Sequence, residues 1–220
     1  MQTSTLIVFA VAMVACLAFY AFNRYFSEDR KAQRDLDAYL KGEKSPAEIG
    51  LFYERYVGYV YENNGYQVSY NGANNRFNDL GRDLIAIKGN SVHVIQTKYW
   101  AKHKVIHEKH IFQLYGSTAH YRIENNIPET TTVLPVFCTT ANYSDTALAA
   151  GETLNMQLGH AKFDRSYPLI KCNVNINGER IYHLPFDKYY DKINIQANPE
   201  SCYVKTVKEA MNKGFRRAKV

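Results

Sequence analysis

Three polar residues in the middle of the chain have the types and spacing to act on a phosphate ester. Asp83 lies in the segment GRDLIAI, and Gln96 and Lys98 lie in the segment VIQTKYW. Because side chains alternate along a strand, Gln96 and Lys98 share one face of theirs. A tight hairpin signal at Gly89-Asn90 joins the two segments, so we expect Asp83 to lie beside the other two residues.

These residue types suit metal-assisted hydrolysis of a phosphodiester. A carboxylate and an amide carbonyl are hard oxygen ligands of the kind that Mg²⁺ takes, and such a metal acidifies a bound water. A lysine beside that water can orient or deprotonate it. Glu54, on a predicted helix upstream, is a candidate second carboxylate. The spacing alone is not specific, since the same letters also occur by chance at a loop and a strand end.

The elements that must position these residues follow from the surrounding sequence. Ser45, Pro46 and Glu48 form a helix start, and an apolar face continues to a stop at Gly65. Further along, the patterns predict strands over 66–70, 80–88 and 91–99, a helix over 108–121, a strand over 131–138 and a helix over 144–150. A meander of strands followed by an α-to-β crossover predicts an α/β fold with a mixed sheet flanked by helices.

The order of short motifs across residues 47–158 is more specific than any single motif. A helical Glu54 precedes a Gly-Tyr-x-Val strand at 65–68, a Gly-x-Asp-Leu strand at 81–84 and the Gln-x-Lys strand at 96–98. This order resembles the Mrr-like branch of the PD-(D/E)xK restriction endonuclease superfamily, in its Gln-x-Lys variant. The resemblance implies a restriction-endonuclease-like core of order αβββαβ that cleaves DNA with Mg²⁺ or Mn²⁺.

The resemblance also implies a role for each candidate catalytic residue. Asp83, Gln96 and Glu54 would bind the metal, with Gln96 in the place of the acidic residue of the commoner motif, and Lys98 would be catalytic. Basic and aromatic side chains follow this strand, and an amide lies on the next helix; the candidate nucleic-acid contacts are Tyr99, Trp100, Lys102, Lys104 and Gln113. An ordinary solvated loop and a helix-surface amide are the simpler alternatives for these five residues.

The N-terminal segment contains an apolar, uncharged run from Leu6 to Phe22. With its aromatic flank the run is long enough for a short transmembrane helix, and positive charges follow it but do not precede it. We therefore expect a single-pass protein of the bacterial inner membrane with its soluble domains in the cytoplasm. A lipoprotein signal ending at Cys16 is the alternative, and the lack of a basic stretch before the run argues against it.

Composition is consistent with this organisation. The chain carries a net charge of +6, which favours a polyanionic partner such as DNA or an anionic membrane, and 46% hydrophobic residues, which excludes wholesale disorder. Four widely spaced cysteines do not form a disulfide framework. The expected domains are a transmembrane anchor over 1–26, a charged juxtamembrane linker over 27–45, a nuclease domain over 46–160 and a small α+β module over 166–220.

The C-terminal module has motifs of its own. Its strand Gly-Glu-x-Ile-Tyr-His-x-Pro at 178–185 resembles the SUNSET-like module that follows catalytic domains in bacterial proteins. Four basic residues near the chain end favour a nucleic-acid-binding or targeting role: Lys213, Arg216, Arg217 and Lys219. Cys172, His183 and Cys202 could meet around a metal, although packing of buried thiols is the simpler interpretation.

The sequence therefore predicts a membrane-anchored, Mg-dependent DNA endonuclease that serves in restriction of foreign or modified DNA. Two alternatives stay open. One is a DNA repair or processing nuclease of the same fold, and the other is a catalytically inactive nuclease-fold protein that binds or senses DNA. A homodimer is a further expectation, because many nucleases of this fold dimerise to cut both strands.

Overall fold

The structure is a computed structural model that describes residues 2–71 and 80–218. In chain order the elements are α1 (Gln2–Lys41), α2 (Pro46–Asn63), β1 (Gln67–Tyr70), β2 (Leu84–Lys88), β3 (Ser91–Lys98), β4 (Val105–Ile106), α3 (Glu108–Glu124), β5 (Thr132–Thr139), β6 (Asn142–Tyr143), α4 (Asp145–Thr153), β7 (Gln157–His160), β8 (Ile170–Val174), β9 (Arg180–His183), β10 (Cys202–Val204), α5 (Val207–Asn212) and β11 (Arg216–Arg217). Two short 3-10 helices, Tyr190–Lys192 and Ile195–Ala197, lie between β9 and β10.

A five-stranded mixed sheet of order β1-β2-β3-β5-β7 forms the centre. Its first three strands are an antiparallel meander, and β3, β5 and β7 run parallel to one another. The two-residue turn Gly89-Asn90 joins β2 to β3, as its sequence predicts. The mixed α/β arrangement expected from the order of elements is therefore present in the described residues.

Helices cover both faces of this sheet because β3 and β5 are apolar on both sides. On one face, Tyr53 and Val57 of α2 pack against Leu84, Ile95 and Val136. On the other face, α3 and α4 cover a second cluster that includes Val94, Phe137, Ile111, Leu114 and Ala147. The sheet is thus fixed from both sides, which leaves the ends of its strands as the places where a site can open.

The start of α2 is fixed by the capping chemistry that the sequence predicts. The Ser45 hydroxyl accepts a hydrogen bond from the backbone N–H of Glu48, and the Glu48 carboxylate accepts one from the Ser45 N–H. Pro46 occupies the first helical position, where no N–H is needed. This hydrogen bonding lowers the pKa of the Glu48 carboxyl. The helix therefore begins at Pro46, and this start fixes the position of Glu54 relative to the sheet.

A second sheet of order β10-β8-β9-β11 forms the C-terminal module, and the second half of α1 packs on it. Ala32 and Leu36 are buried in its core. The Tyr182 hydroxyl donates to the buried Asp29 carboxylate at 2.5 Å, and Gln33 accepts from the N–H of Val207 at the start of α5. Most of the segment 27–45, expected as a charged juxtamembrane linker, is thus helical up to Lys41 and contacts this module.

The predicted transmembrane helix, and with it the predicted inner-membrane localisation, is wrong. Among residues 2–71 and 80–218, no helix has the length and apolar character needed to cross a membrane. The apolar run belongs to a 40-residue helix that continues without a break into the charged residues after Ser27. The predicted fold class is corrected accordingly: its α/β part is present, and its transmembrane part is not.

Buried charges join the C-terminal module to the central sheet. The Arg55 guanidinium on α2 donates to both carboxylate oxygens of Asp191, at 2.8 and 2.6 Å, and to the Pro185 carbonyl. The fully buried Lys171 ammonium on β8 lies 3.7 Å from the Glu62 carboxylate at the end of α2. Burial raises the pKa of Glu62 and lowers that of Lys171. These contacts hold α2, which carries Glu54, against the module.

Candidate active site

A cleft of about 310 Å³ opens between the first turns of α2 and the edge of the sheet where β2 begins and β3 ends. Glu54, Asp83 and Lys98 all line it, together with Thr97 and Tyr99. The antiparallel pairing of β2 with β3 brings Asp83, just before β2, to the same edge as the end of β3. Three of the four predicted catalytic residues therefore share one cleft.

Asp83 is held by a neighbour that the sequence pattern did not single out. Its Oδ2 accepts the backbone N–H of Thr97 at 2.6 Å and the Thr97 hydroxyl at 3.0 Å. Thr97 is the residue between Gln96 and Lys98, and its side chain points to the sheet face opposite theirs. The hydroxyl at position 97, where a strand could carry an aliphatic side chain, was the only sign of this contact in the sequence. Two hydrogen bonds to one oxygen fix the carboxylate plane.

Gln96 lies beside the cleft rather than among the residues that line it. It is buried, and it lies one step beyond the Leu84–Ile95 pair of the β2–β3 ladder, opposite Asp83. Gly81 has a φ of +76°, which favours glycine there, and a Cβ at this position would come within 2.7 Å of the Gln96 Nε2. The Gln96 Oε1 is buried and has no hydrogen-bond partner within residues 2–71 and 80–218. Buried amide oxygens are normally satisfied, so this atom is suited to a further ligand.

Two threonines at the end of β5 fix the chain around Lys98. The Thr139 hydroxyl donates to the Lys98 carbonyl at 2.8 Å. The Thr140 hydroxyl donates to the Trp100 carbonyl and accepts the Trp100 N–H. Neither threonine caps the following helix, because Ser144 does so. Lys98 therefore extends from a strand end whose backbone is held by two side chains at the end of the neighbouring strand β5.

The predicted nucleic-acid contacts lie in and around the cleft mouth. Tyr99 and Trp100 line the cleft, Lys102 and Lys104 are exposed beyond it, and the Lys104 ammonium lies 5.4 Å from the Trp100 ring centre. Gln113 is exposed on α3, and its Nε2 would lie 3.5 Å from a Cβ at Gly81. Four of the five thus border one surface, and Gln113 lies near the buried Gln96.

The surface beside Lys98 is positively charged. Burial, together with the positive charges of Lys109 and Lys98, lowers the pKa of His110, whose ring packs edge-on against Trp100. In the described part of the chain, Lys102, Lys104 and Lys109 take part in no ion pair. Their charges are therefore available to a polyanion that approaches the cleft.

The described residues form no metal site whose ligands are all His, Cys, Asp or Glu side chains. Among the described residues, no group of three or more His, Cys, Asp or Glu side chains is arranged to hold a metal ion. Cys172 and Cys202 are paired across β8 and β10, whereas His183 is paired with Lys171, one residue along β8 from Cys172. Because neighbouring residues of a strand point to opposite faces, His183 lies on the other side of that sheet from the two thiols.

Comparison with known proteins gives distant likenesses only. The chain matches no known protein-family model and no curated protein. One similar solved structure is that of a protein of unknown function, AF1548, with a TM-score of 0.40 and 15% identity, over 50% of this chain and 56% of the other. Another is the MspJI restriction endonuclease in complex with a 27-mer oligonucleotide, with a TM-score of 0.37 and 15% identity, over 61% of this chain and 29% of the other. The chain thus spans less than two thirds of either protein, and its resemblance to the Mrr-like and SUNSET-like families stays a prediction.

Proposed function

We propose that this protein is a metal-dependent endonuclease that hydrolyses phosphodiester bonds of DNA in the cleft between α2 and the end of β3. The observation that carries the proposal is that Glu54, Asp83 and Lys98, which come from separate parts of the sequence, line this cleft together. A structural role alone would not require two carboxylates and a lysine around one cleft. The resemblance favours restriction of foreign or modified DNA as the use of this activity.

The residues present fit Mg²⁺ or Mn²⁺. The carboxylates of Glu54 and Asp83 line the cleft, and the buried Oε1 of Gln96 lies on the residue opposite Asp83. Two carboxylates with one amide suit an ion that keeps several waters and takes further ligands from the substrate phosphate. When bound, such an ion supplies Lewis-acid activation of water and neutralises charge on the phosphoryl group.

The remaining steps belong to the side chains of the chain itself. Lys98 donates a hydrogen bond to the attacking water or to a phosphoryl oxygen, where negative charge develops in the transition state. Thr97 keeps the Asp83 carboxylate in one orientation, so that no reorganisation is needed as the substrate binds. Lys102 and Lys104 contact the flanking phosphates, which positions the strand without reading its sequence.

The test is cleavage of supercoiled plasmid by the full chain with Mg²⁺ or Mn²⁺. Asp83→Asn and Lys98→Ala are each expected to lower the rate about a hundredfold or more, since each removes a group that acts on the substrate or its metal. Asp145→Asn and Lys208→Ala, at exposed positions on α4 and α5, are the matched controls and should cleave at the parental rate. A chelator should abolish the reaction.

A DNA-binding protein without cleavage is the competing outcome. If plain, methylated and single-stranded DNA are all bound and none is cut with either metal, the endonuclease proposal is wrong and a sensor role takes its place. If cleavage persists in both Asp83→Asn and Lys98→Ala, the activity lies elsewhere and this cleft is not its site. A homodimer stays a prediction, to be checked by the mass of the purified chain in solution.

A further inference from the structure

A second hollow lies on the other side of the first turns of α2. It has a volume of about 370 Å³, which is ample for a nucleobase, and it is bounded by the residues that follow α1. Its apolar lining includes Ile49 and Phe52 of α2, Phe163 after β7, and Leu40 at the end of α1. Leu40 is 46% exposed, so an apolar surface faces solvent here. The catalytic roles proposed above do not use this hollow.

The rim of the hollow is mainly cationic. Lys41, Lys44 and Arg165 contribute to its lining, against a single acid, Glu43. The Arg165 guanidinium lies 5.7 Å from the ring centre of Phe163, so one rim cation sits over one of the aromatic rings. An apolar floor with aromatic rings and a cationic rim is complementary to a nucleotide, whose base is a flat π-system and whose phosphate is an anion.

The hollow adjoins the candidate active site, and side chains that line the two cavities contact each other. The Arg165 guanidinium donates to the Tyr99 hydroxyl at 3.4 Å, and Tyr99 lines the catalytic cleft. The Tyr99 and Phe163 rings also pack edge to face, with centres 5.7 Å apart. The first turns of α2 form the other shared wall, with Gly50 and Leu51 toward the cleft and Ile49 and Phe52 toward the hollow.

We propose that the hollow binds one unpaired nucleotide of a nucleic-acid strand whose backbone continues into the catalytic cleft. The base stacks on Phe52, and the phosphate between base and cleft contacts Arg165, which the Phe163 ring supports from below. A base that is still paired and stacked in a duplex cannot enter a hollow, so the preferred substrate is single-stranded DNA or a duplex with a locally unpaired base. This inference rests on the proposed function for what lies in the cleft, but its test does not require cleavage.

The test measures binding of a fluorescein-labelled single-stranded oligodeoxynucleotide to the full chain, without metal, by anisotropy over a range of salt concentrations. Arg165→Ala is expected to weaken binding about tenfold and to lower the slope of log K against log salt by about 0.7, the value for one phosphate of a single strand that is no longer neutralised. Phe52→Ala is expected to weaken binding about tenfold with an unchanged slope, because stacking releases no counterions.

A matched pair of charge substitutions guards against effects of folding and net charge. Leu40→Glu places a carboxylate in the hollow and should weaken binding of the single strand more than tenfold. Leu148→Glu changes the net charge identically on α4, where Leu148 is 48% exposed against 46% for Leu40, and should weaken it less than twofold. All variants are first compared with the parent by thermal unfolding, and Leu40→Glu decides the matter if Phe52→Ala does not fold.

Two results would overturn the inference. One is equal binding by the Leu40→Glu and Leu148→Glu variants; the other is equal loss of affinity for a blunt duplex and for the single strand. Failure of the proposed function looks different. In that case no plasmid is cut with either metal, while the single strand still binds and the dependence on Arg165 and Leu40 persists.

Discussion

The cations around the cleft and those of the C-terminal module have similar types but different surroundings. Beyond the cleft, Lys102, Lys104 and Lys109 take part in no ion pair in the described part of the chain. In the module, three arginines are held by acids at short range, in the pairs Arg180–Glu200 (2.6 Å), Arg216–Glu179 (2.8 Å) and Arg217–Asp187 (2.5 Å). The cations of the first region are therefore available to a polyanion, whereas those of the second form ion pairs within the module.

This difference changes the interpretation of the chain end. Arg216 and Arg217 are among the basic residues that favour a nucleic-acid or targeting role for the module, and both are occupied by carboxylates. Lys219 lies outside the described residues. A cluster of basic residues in a sequence therefore indicates a polyanionic partner only where acidic residues of the same chain do not pair with it.

The largest expected effect concerns the most buried cation of the module. Lys171→Met leaves the buried Glu62 carboxylate with its two tyrosine donors, Tyr70 and Tyr203, but without the opposite charge, and should lower the free energy of unfolding by about 3–5 kcal/mol. Arg180→Met, which breaks the exposed pair with Glu200, should lower it by at most about 1 kcal/mol. Urea unfolding followed by circular dichroism measures both.

The double variant Lys171→Met/Glu62→Gln sharpens this prediction. It removes both charges together, so it should be more stable than Lys171→Met alone. An equal, small loss for Lys171→Met and Arg180→Met would contradict the claim that cations of the module are structural. It would mean that Glu62 takes up a proton at little expense once its partner is gone.

The second effect concerns the positioning of Asp83. Thr97→Val keeps the shape of the side chain but removes one hydrogen bond to a charged carboxylate, and should lower kcat about tenfold or more with little change in KM. Thr97→Ser keeps the hydroxyl and should restore most of kcat. The measurement is steady-state cleavage of a labelled oligonucleotide at saturating metal. Equal losses in Val and Ser variants would point to packing instead.

The third effect tests the cleft side of the comparison directly. The double variant Lys102→Ala/Lys104→Ala should weaken DNA binding and lower the salt slope on a duplex by about 0.9 for each phosphate that is no longer neutralised. Its unfolding free energy should stay within about 0.5 kcal/mol of the parent, because both side chains are exposed and form no ion pair in the described part of the chain. Arg216→Ala should leave DNA binding and the salt slope unchanged and should lower the unfolding free energy by at most about 1 kcal/mol, because it breaks the exposed pair with Glu179. Equal effects of the two variants on binding would erase the distinction between the regions.

Local chemistry explains which parts of the structure could be predicted. The Ser45 cap and the Gly89-Asn90 turn depend on residues adjacent in sequence, so their signals are complete in the sequence itself. The shared edge of Asp83 and Lys98 follows from strand period and one hairpin. The Thr97 contact was missed because it depends on where a carboxylate rotamer points, which no spacing encodes.

The packing of α1 on the C-terminal module shows why the other parts of the structure could not be predicted from the sequence. Asp29, Ala32, Gln33 and Leu36 face the module at helical spacing, but two are polar and one is small, so the hydrophobic pattern is weak. Asp29 is buried because Tyr182, far along the chain, supplies a hydroxyl to it. From sequence alone, such a charged segment therefore resembles a linker, and the apolar run before it resembles a membrane span.

The smallest expected effect is a pH dependence of stability that both regions share. Burial lowers the pKa of His93, on β3, and of His183, on β9, below the ordinary value of 6.5. The unfolded chain therefore binds more protons than the folded chain as the pH falls below 6.5. The free energy of unfolding should be constant just above this pH and decline below it, until the pH passes the folded-state pKa values. Urea unfolding between pH 7 and pH 5 should show this decline, and the double variant His93→Gln/His183→Gln should flatten it. Because both imidazoles are only partly buried, solvent screening keeps the change small. A decline of the same steepness in the double variant would assign it to His110, whose pKa is lowered in the same direction, or to carboxylates.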